Sequence, residues 1–122
     1  MDAALDGAPV AVRGDPRLLR RLIRNLLENA RRYGAGTPIE LTLSSGAGPA
    51  VLRVCDRGPG VLAAERERIF EPFHRPAGTR EPEGGAGLGL ALVRQIARKH
   101  GGDVECLPRD GGGSCFEVVL PG

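Results

Sequence analysis

Apolar residues recur with helical spacing along residues 15–34, DPRLLRRLIRNLLENARRYG. At about 100° per residue, Leu19, Leu22, Ile23, Leu26, Leu27 and Ala30 share one arc, which is expected to face a core. Arg17, Arg20, Arg21, Arg24 and Arg31 share another, which is expected to be solvated. Asp15 is placed to cap the helix, Pro16 suits its first position, and Gly34 suits the C-cap. A second helical pattern, LGLALVRQIARKHGG, starts at Leu88 and stops at a glycine pair. Shorter alternating runs read as strands: APVAVRG at 8–14, PIELTLSS at 38–45, AVLRVCD at 50–56, DVECLP at 103–108 and SCFEVVL at 114–120. The middle two form one hairpin across a Gly/Pro turn, and the last two form another around RDGGG. GPGVLAAERERIF, 58–70, reads as a loop and a short helix, and residues 74–87 as a mobile loop rich in Gly, Pro and charge. This alternation predicts an α/β fold: a two-layer sandwich with a mixed sheet covered on one face by helices.

Composition narrows the picture. A chain of 122 residues makes one domain, spanning 1–122. Aromatic residues are only 3%, so the core must come from Leu, Val, Ile and Ala. The net charge of +2, with acids interspersed, excludes nucleic-acid binding by charge alone. No apolar run is long enough to span a membrane and no signal peptide is visible, so no direct membrane contact is expected. The opening MDAALDGAPV reads like a segment cut from a longer chain. Cys55, Cys106 and Cys115 lack any C-x-x-C spacing, which argues for reduced thiols in a cytosolic compartment rather than a disulfide framework or zinc site. All three read as small core residues, Cys55 most clearly.

Three segments carry candidate chemistry. On the first helix Asn25, Glu28, Asn29, Arg32 and Tyr33 fall between the apolar and arginine arcs, so they line a rim. Asparagine is a poor helix former and costly to bury, which makes two on one face notable, although a helix edge bonded to loops would also use them. DRGPG, 56–60, sets a carboxylate at a strand end beside glycines that let a flat ligand approach the backbone; a plain tight turn fits equally well. GGAGLGLALV, 84–93, runs glycines into a helix N-terminus, whose free N–H groups and dipole suit phosphate. Its spacing is neither that of a P-loop nor that of the Rossmann fingerprint.

In this order, the three segments make the chain resemble the catalytic ATP-binding domain of bacterial sensor histidine kinases, in the superfamily shared by gyrase, Hsp90 and MutL. NLLENARRYG resembles the family's N box, DRGPGV its G1 box, IFEPFHR its F box and GGAGLGLALV its G2 box, covering about Pro9 to Pro121. The resemblance implies the Bergerat-type ATP-binding fold and ATP with Mg²⁺ as cofactors. By it, Asn29 would ligate Mg²⁺ with Asn25 in the same shell, a neutral oxygen sufficing where triphosphate supplies the charge. Arg32 would face the phosphates, making Asn25, Asn29 and Arg32 the catalytic set. Tyr33 would lie against adenine and Asp56 would accept its exocyclic amine, selecting ATP over GTP. Gly58 and Gly60 would let the loop close on the base. Gly85, Gly87 and Gly89 would wrap the triphosphate, with Leu88 and Leu90 anchoring the hinge of a lid at about 74–87. Phe70 and Phe73 would fix the lid's other end, although Phe73 suits plain packing as well. Arg75 would contact phosphate; Arg80 fits that role or a solvated loop.

The family's phosphoacceptor context is missing. His74 and His100 are the only histidines, and neither stands in an H-[DE] pair; His74 reads as a lid residue and His100 as the end of the second helix. The resemblance therefore implies a catalytic module that needs a phosphoacceptor histidine domain, absent from this chain, with a response regulator downstream. The isolated domain is expected to be monomeric. The full protein would be a homodimeric, membrane-anchored sensor with this domain on its cytoplasmic side. Rival readings are an ATP-hydrolysing switch, an anti-sigma serine kinase and a non-catalytic ATP-binding scaffold. The first two use a glutamate one turn before the metal-binding Asn, where this chain has Asn25, and a carboxamide cannot accept a proton at neutral pH. The scaffold is disfavoured because each box is intact.

Overall fold

Four alternating segments build a single sheet. β1 (Glu40–Ser44), β2 (Ala50–Asp56), β3 (Asp103–Pro108) and β4 (Ser114–Leu120) stand in the order β1-β2-β4-β3. The computed structural model describes residues 14–34, 36–44, 49–72 and 89–121. Both expected hairpins form: Leu41 pairs with Val54, and Cys106 with Phe116. The strand expected at 8–14 falls, apart from Gly14, outside the described residues, as does the loop at 74–87.

Among the described residues each pairing is antiparallel; the further strand expected at 8–14, on which a mixed sheet would depend, lies outside them apart from Gly14. The connection from β2 through the second helix to β3 does leave those two strands running the same way. β4 then inserts between them and pairs antiparallel with both. A hairpin joined by a short turn can pair in no other sense.

α1 (Pro16–Gly34) and α2 (Gly89–Lys99) pack against each other and against the sheet. Leu22, Leu26 and Ala30 of α1 are buried, with Leu19, Ile23 and Leu27 packed against the same core, while Arg17, Arg20, Arg21, Arg24 and Arg31 are exposed. Full burial of one such leucine is worth roughly 1.5–3 kcal/mol. The cap is as expected: Asp15 Oδ1 accepts the backbone N–H of Arg17 at 2.9 Å. At the other end Gly34 is still helical, and its carbonyl accepts both the amide (3.0 Å) and the hydroxyl (2.6 Å) of Thr37. His100 closes α2 and reaches back to α1. Its Nε2 accepts the Asp15 N–H at 3.0 Å while Nδ1 donates to the Ile96 carbonyl at 2.8 Å.

Two 3-10 turns, Ala63–Glu65 and Arg68–Phe70, replace the short helix expected within 58–70. The second buries Phe70 edge-on against Phe116, with ring centres 6.1 Å apart. Arg94 of α2 lies over the Phe70 ring at 4.3 Å and also binds Glu67, Asp103 and the Val104 carbonyl. One arginine thus ties the end of this segment to α2 and β3.

The cysteines need correcting. Cys55 and Cys115 face each other in the β2–β4 register and are joined as a disulfide. Sequence spacing could not reveal this, because the two stand 60 residues apart and meet only through strand pairing. Cys106 is free and buried, and burial pushes its thiol up to about 11.

Candidate nucleotide site

The last turn of α1 meets the end of β2. Asn25, Asn29 and Tyr33 follow at i, i+4 and i+8 and are half-buried, which bears out their place on a rim; Glu28 and Arg32 are exposed. At 1.5 Å per residue this stripe is about 12 Å long. Its Tyr33 end adjoins the turn after β2. A Cβ on Gly58 would fall inside the contact radius of the Tyr33 carbonyl oxygen, and one on Gly34 would stand 3.3 Å from the Asp56 Cβ. Glycine is thus required at 58, where backbone packs on backbone.

Asp56 is the focus. It is 2% exposed and Ser114, its partner in the register, is 5% exposed; they are the buried polar residues among those described. Asp56 Oδ1 accepts the Gly58 N–H at 2.8 Å. Burial pushes the carboxyl pKa above its ordinary value, and the backbone amides of Gly58 and Ser114, with the more distant Arg109, pull against that shift. A desolvated carboxylate of this kind favours a ligand that donates a hydrogen bond and repels one that presents an acceptor. Gly113, with φ +102°, packs its backbone on the Asp56 carbonyl so closely that a Cβ would overlap it. Gly60, with φ +81°, takes the left-handed conformation next to the Gly113 carbonyl.

α2 supplies a second wall. Gly89 is its exposed first residue, so the positive end of the helix dipole starts there, and Leu90 packs on the core. Phe73, Arg75, Gly85, Gly87 and Leu88, with His74 and Arg80, lie outside the described residues.

Sequence reading passed over Ser114, Gly113 and Thr37. Ser114 opens an apolar strand, a faint sign of a polar group facing inward. The GGG run at 111–113 signals a turn but not that its last glycine abuts Asp56. Among the described residues no cluster of three His, Cys, Asp or Glu could hold a metal. The donor set on α1 is instead two carboxamides, which suits Mg²⁺ brought by a polyphosphate better than a free ion.

Residues 14–122 match the family described as histidine kinase-, DNA gyrase B-, and HSP90-like ATPase. Sensor protein CutS of Streptomyces coelicolor is 42% identical over 113 residues, 90% of this chain and 27% of that protein. Sensor protein RstB of Escherichia coli K12 is 44% identical over 108 residues, 88% of this chain and 25% of that protein. The ATP binding domain of PrrB from Mycobacterium tuberculosis superposes with a TM-score of 0.77 at 32% identity, covering 100% of this chain and 80% of that one. The chain spans about a quarter of the length of each of these two sensor proteins. The chain belongs to the histidine kinase-, DNA gyrase B- and HSP90-like ATPases, and within them it is similar to the catalytic domains of sensor histidine kinases.

Proposed function

We propose that this chain binds Mg-ATP between α1, the Asp56 turn and the start of α2, and presents the γ-phosphate to a histidine on a separate phosphoacceptor domain. The observation that carries the reading is Asp56: a buried carboxylate at a strand end, with Gly34 of α1 against its Cβ and the Tyr33 backbone carbonyl against the neighbouring Gly58. It would accept the adenine exocyclic amine, and Tyr33 would lie against the ring. Gly58 and Gly60 let the turn close on the base. Asn29, and Asn25 one turn earlier, would hold Mg²⁺, which supplies charge neutralisation to the triphosphate. Arg32, exposed at the same rim, would meet the phosphates. Gly89 offers them the N-terminus of α2, and Gly85, Gly87, Leu88, Phe73 and Arg75 complete the lid in this reading.

The phosphoryl group would pass on to a response regulator, in a homodimeric, membrane-anchored sensor with this domain on the cytoplasmic side. The names of these two relatives, both sensor proteins, support the sensor part of that reading. Asn25 disfavours hydrolysis, because a carboxamide orients but does not deprotonate. Calorimetry tests the base-binding half: Mg-ATP binds and Mg-GTP binds much more weakly. Equal affinity for both nucleotides would remove Asp56 from its role.

A further inference from the structure

We infer that Cys55 and Cys115 are a reversible disulfide site whose redox state sets how tightly the adjoining nucleotide site holds its ligand. The inference rests on Asp56 being the nucleotide contact.

The two cysteines are direct partners in the β2–β4 register, with Cα atoms 4.0 Å apart. The next pair in that register is Asp56 and Ser114. Side chains alternate across a sheet, so Asp56 and Ser114 face the helices and the disulfide lies on the opposite face, one residue back. Cys106 belongs to the core cluster on the helix face and is no competing partner. The cysteines sit in a row running Glu40, Cys55, Cys115, Leu107 across all four strands. Arg109, two residues past Leu107, reaches over to Glu40 on β1 at 2.7 Å. Both cysteines are buried although they lie on the face turned away from α1 and α2.

Strand pairing already brings residues 55 and 115 together, so the bond adds little to topology. What it fixes is the spacing of the row behind Asp56. With the sulfurs bonded, that row has one arrangement, and the carboxylate beside it is preorganised. Once unbonded, the sulfurs part to van der Waals contact, by rotation about their Cα–Cβ bonds or by shifts of the strand ends, and the row behind Asp56 no longer has a single arrangement. Gly113 and Gly58 pack so closely around Asp56 that little movement is tolerated there. The oxidised form therefore binds nucleotide more tightly. In a reducing compartment such a bond is transient and responsive rather than structural.

The chemistry balances with simple partners. Oxidation by hydrogen peroxide removes two electrons and two protons from the two thiols, forming the S–S bond and two waters. Reduction by a dithiol proceeds by thiolate attack on one sulfur and resolution of the mixed disulfide. The reductant leaves as a cyclic disulfide, and Cys55 and Cys115 each regain a proton. By linkage, nucleotide must make the disulfide harder to reduce by the same factor as oxidation tightens binding.

The 122-residue chain is prepared oxidised with peroxide and reduced with dithiothreitol, and alkylation after unfolding, read by mass spectrometry, counts the thiols. Calorimetry with Mg-ATP is expected to give a Kd lower by about fivefold or more in the oxidised form. In a fixed dithiothreitol buffer, adding Mg-ATP is expected to raise the oxidised fraction by the same factor. Cys106→Ala keeps this response; the double variant Cys55→Ala/Cys115→Ala loses it and binds as the reduced protein does. Should the double variant fail to fold, the wild-type oxidised and reduced pair decides alone. Equal Kd values in both states, or no loss of two thiols on oxidation, would overturn the proposal and leave the nucleotide site standing. No binding in either state would overturn both.

Discussion

Asp56 carries the most information of any single residue. If it accepts the adenine amine as proposed, replacing it with Ala is expected to weaken Mg-ATP binding by about 1–3 kcal/mol, read by calorimetry. Its neighbour Gly58 is a separate test. Because an added Cβ would meet the Tyr33 backbone carbonyl, which cannot rotate away, Gly58→Ala should both lower the melting temperature and weaken binding. A variant as stable and as tight as the parent would show that the α1–β2 contact is looser than described. Cys106 makes a prediction of its own. Its thiol is pushed up to about 11 by burial, so the folded state holds the proton more firmly than the unfolded chain does. The stability this confers is complete below the ordinary thiol pKa and is lost as pH rises from there towards 11. Alkaline unfolding monitored by circular dichroism should show that loss, and Cys106→Ala should flatten it. Individual residues were legible where their chemistry is local: Asp56 beside two glycines needs only five residues of sequence. Ser114 and the cysteine pair were not, since both depend on β4 lying beside β2 across some 60 residues of chain.

Elements are where sequence reading does best, because helical and strand periodicity are properties of the segment itself. α1 runs from Pro16 to Gly34 with its arcs as read, and both hairpins form. The order of strands in the sheet was not legible, since no local signal says that β4 inserts between β2 and β3. The cap of α1 offers a test at this scale. The backbone amide of Arg17 holds the Asp15 carboxyl below its ordinary value against the opposing effect of desolvation, helped by the Leu18 amide and the charges of Arg17 and Lys99. A depressed carboxyl contributes stability that is present above its unfolded pKa and lost as pH falls through the folded one. Asp15→Ala should therefore lower the melting temperature at neutral pH, and the gap to the parent should close in acid. A gap independent of pH would mean that the carboxylate charge is not what caps the helix.

On the proposed reading, the molecule gathers a metal-and-phosphate stripe on one helix, a base-selecting carboxylate on one strand end and the N-terminus of a second helix around one nucleotide. It provides no carboxylate at position 25 to activate water, so ATP should persist until a phosphoacceptor histidine arrives. Asn29→Ala should leave the circular dichroism spectrum unchanged and abolish transfer, because Asn29 stands outside the core cluster, whereas the proposed Mg²⁺ would lose a ligand. The most direct test of the central claim incubates the chain with γ-labelled Mg-ATP and a separately supplied phosphoacceptor domain, and measures labelled partner and free phosphate together. The account predicts an acid-labile, base-stable phosphohistidine on the partner and very slow phosphate release by the chain alone. Phosphate release at about 1 s⁻¹ or faster, in the range of ordinary enzymes, with no label on the partner, would contradict it and identify an ATPase.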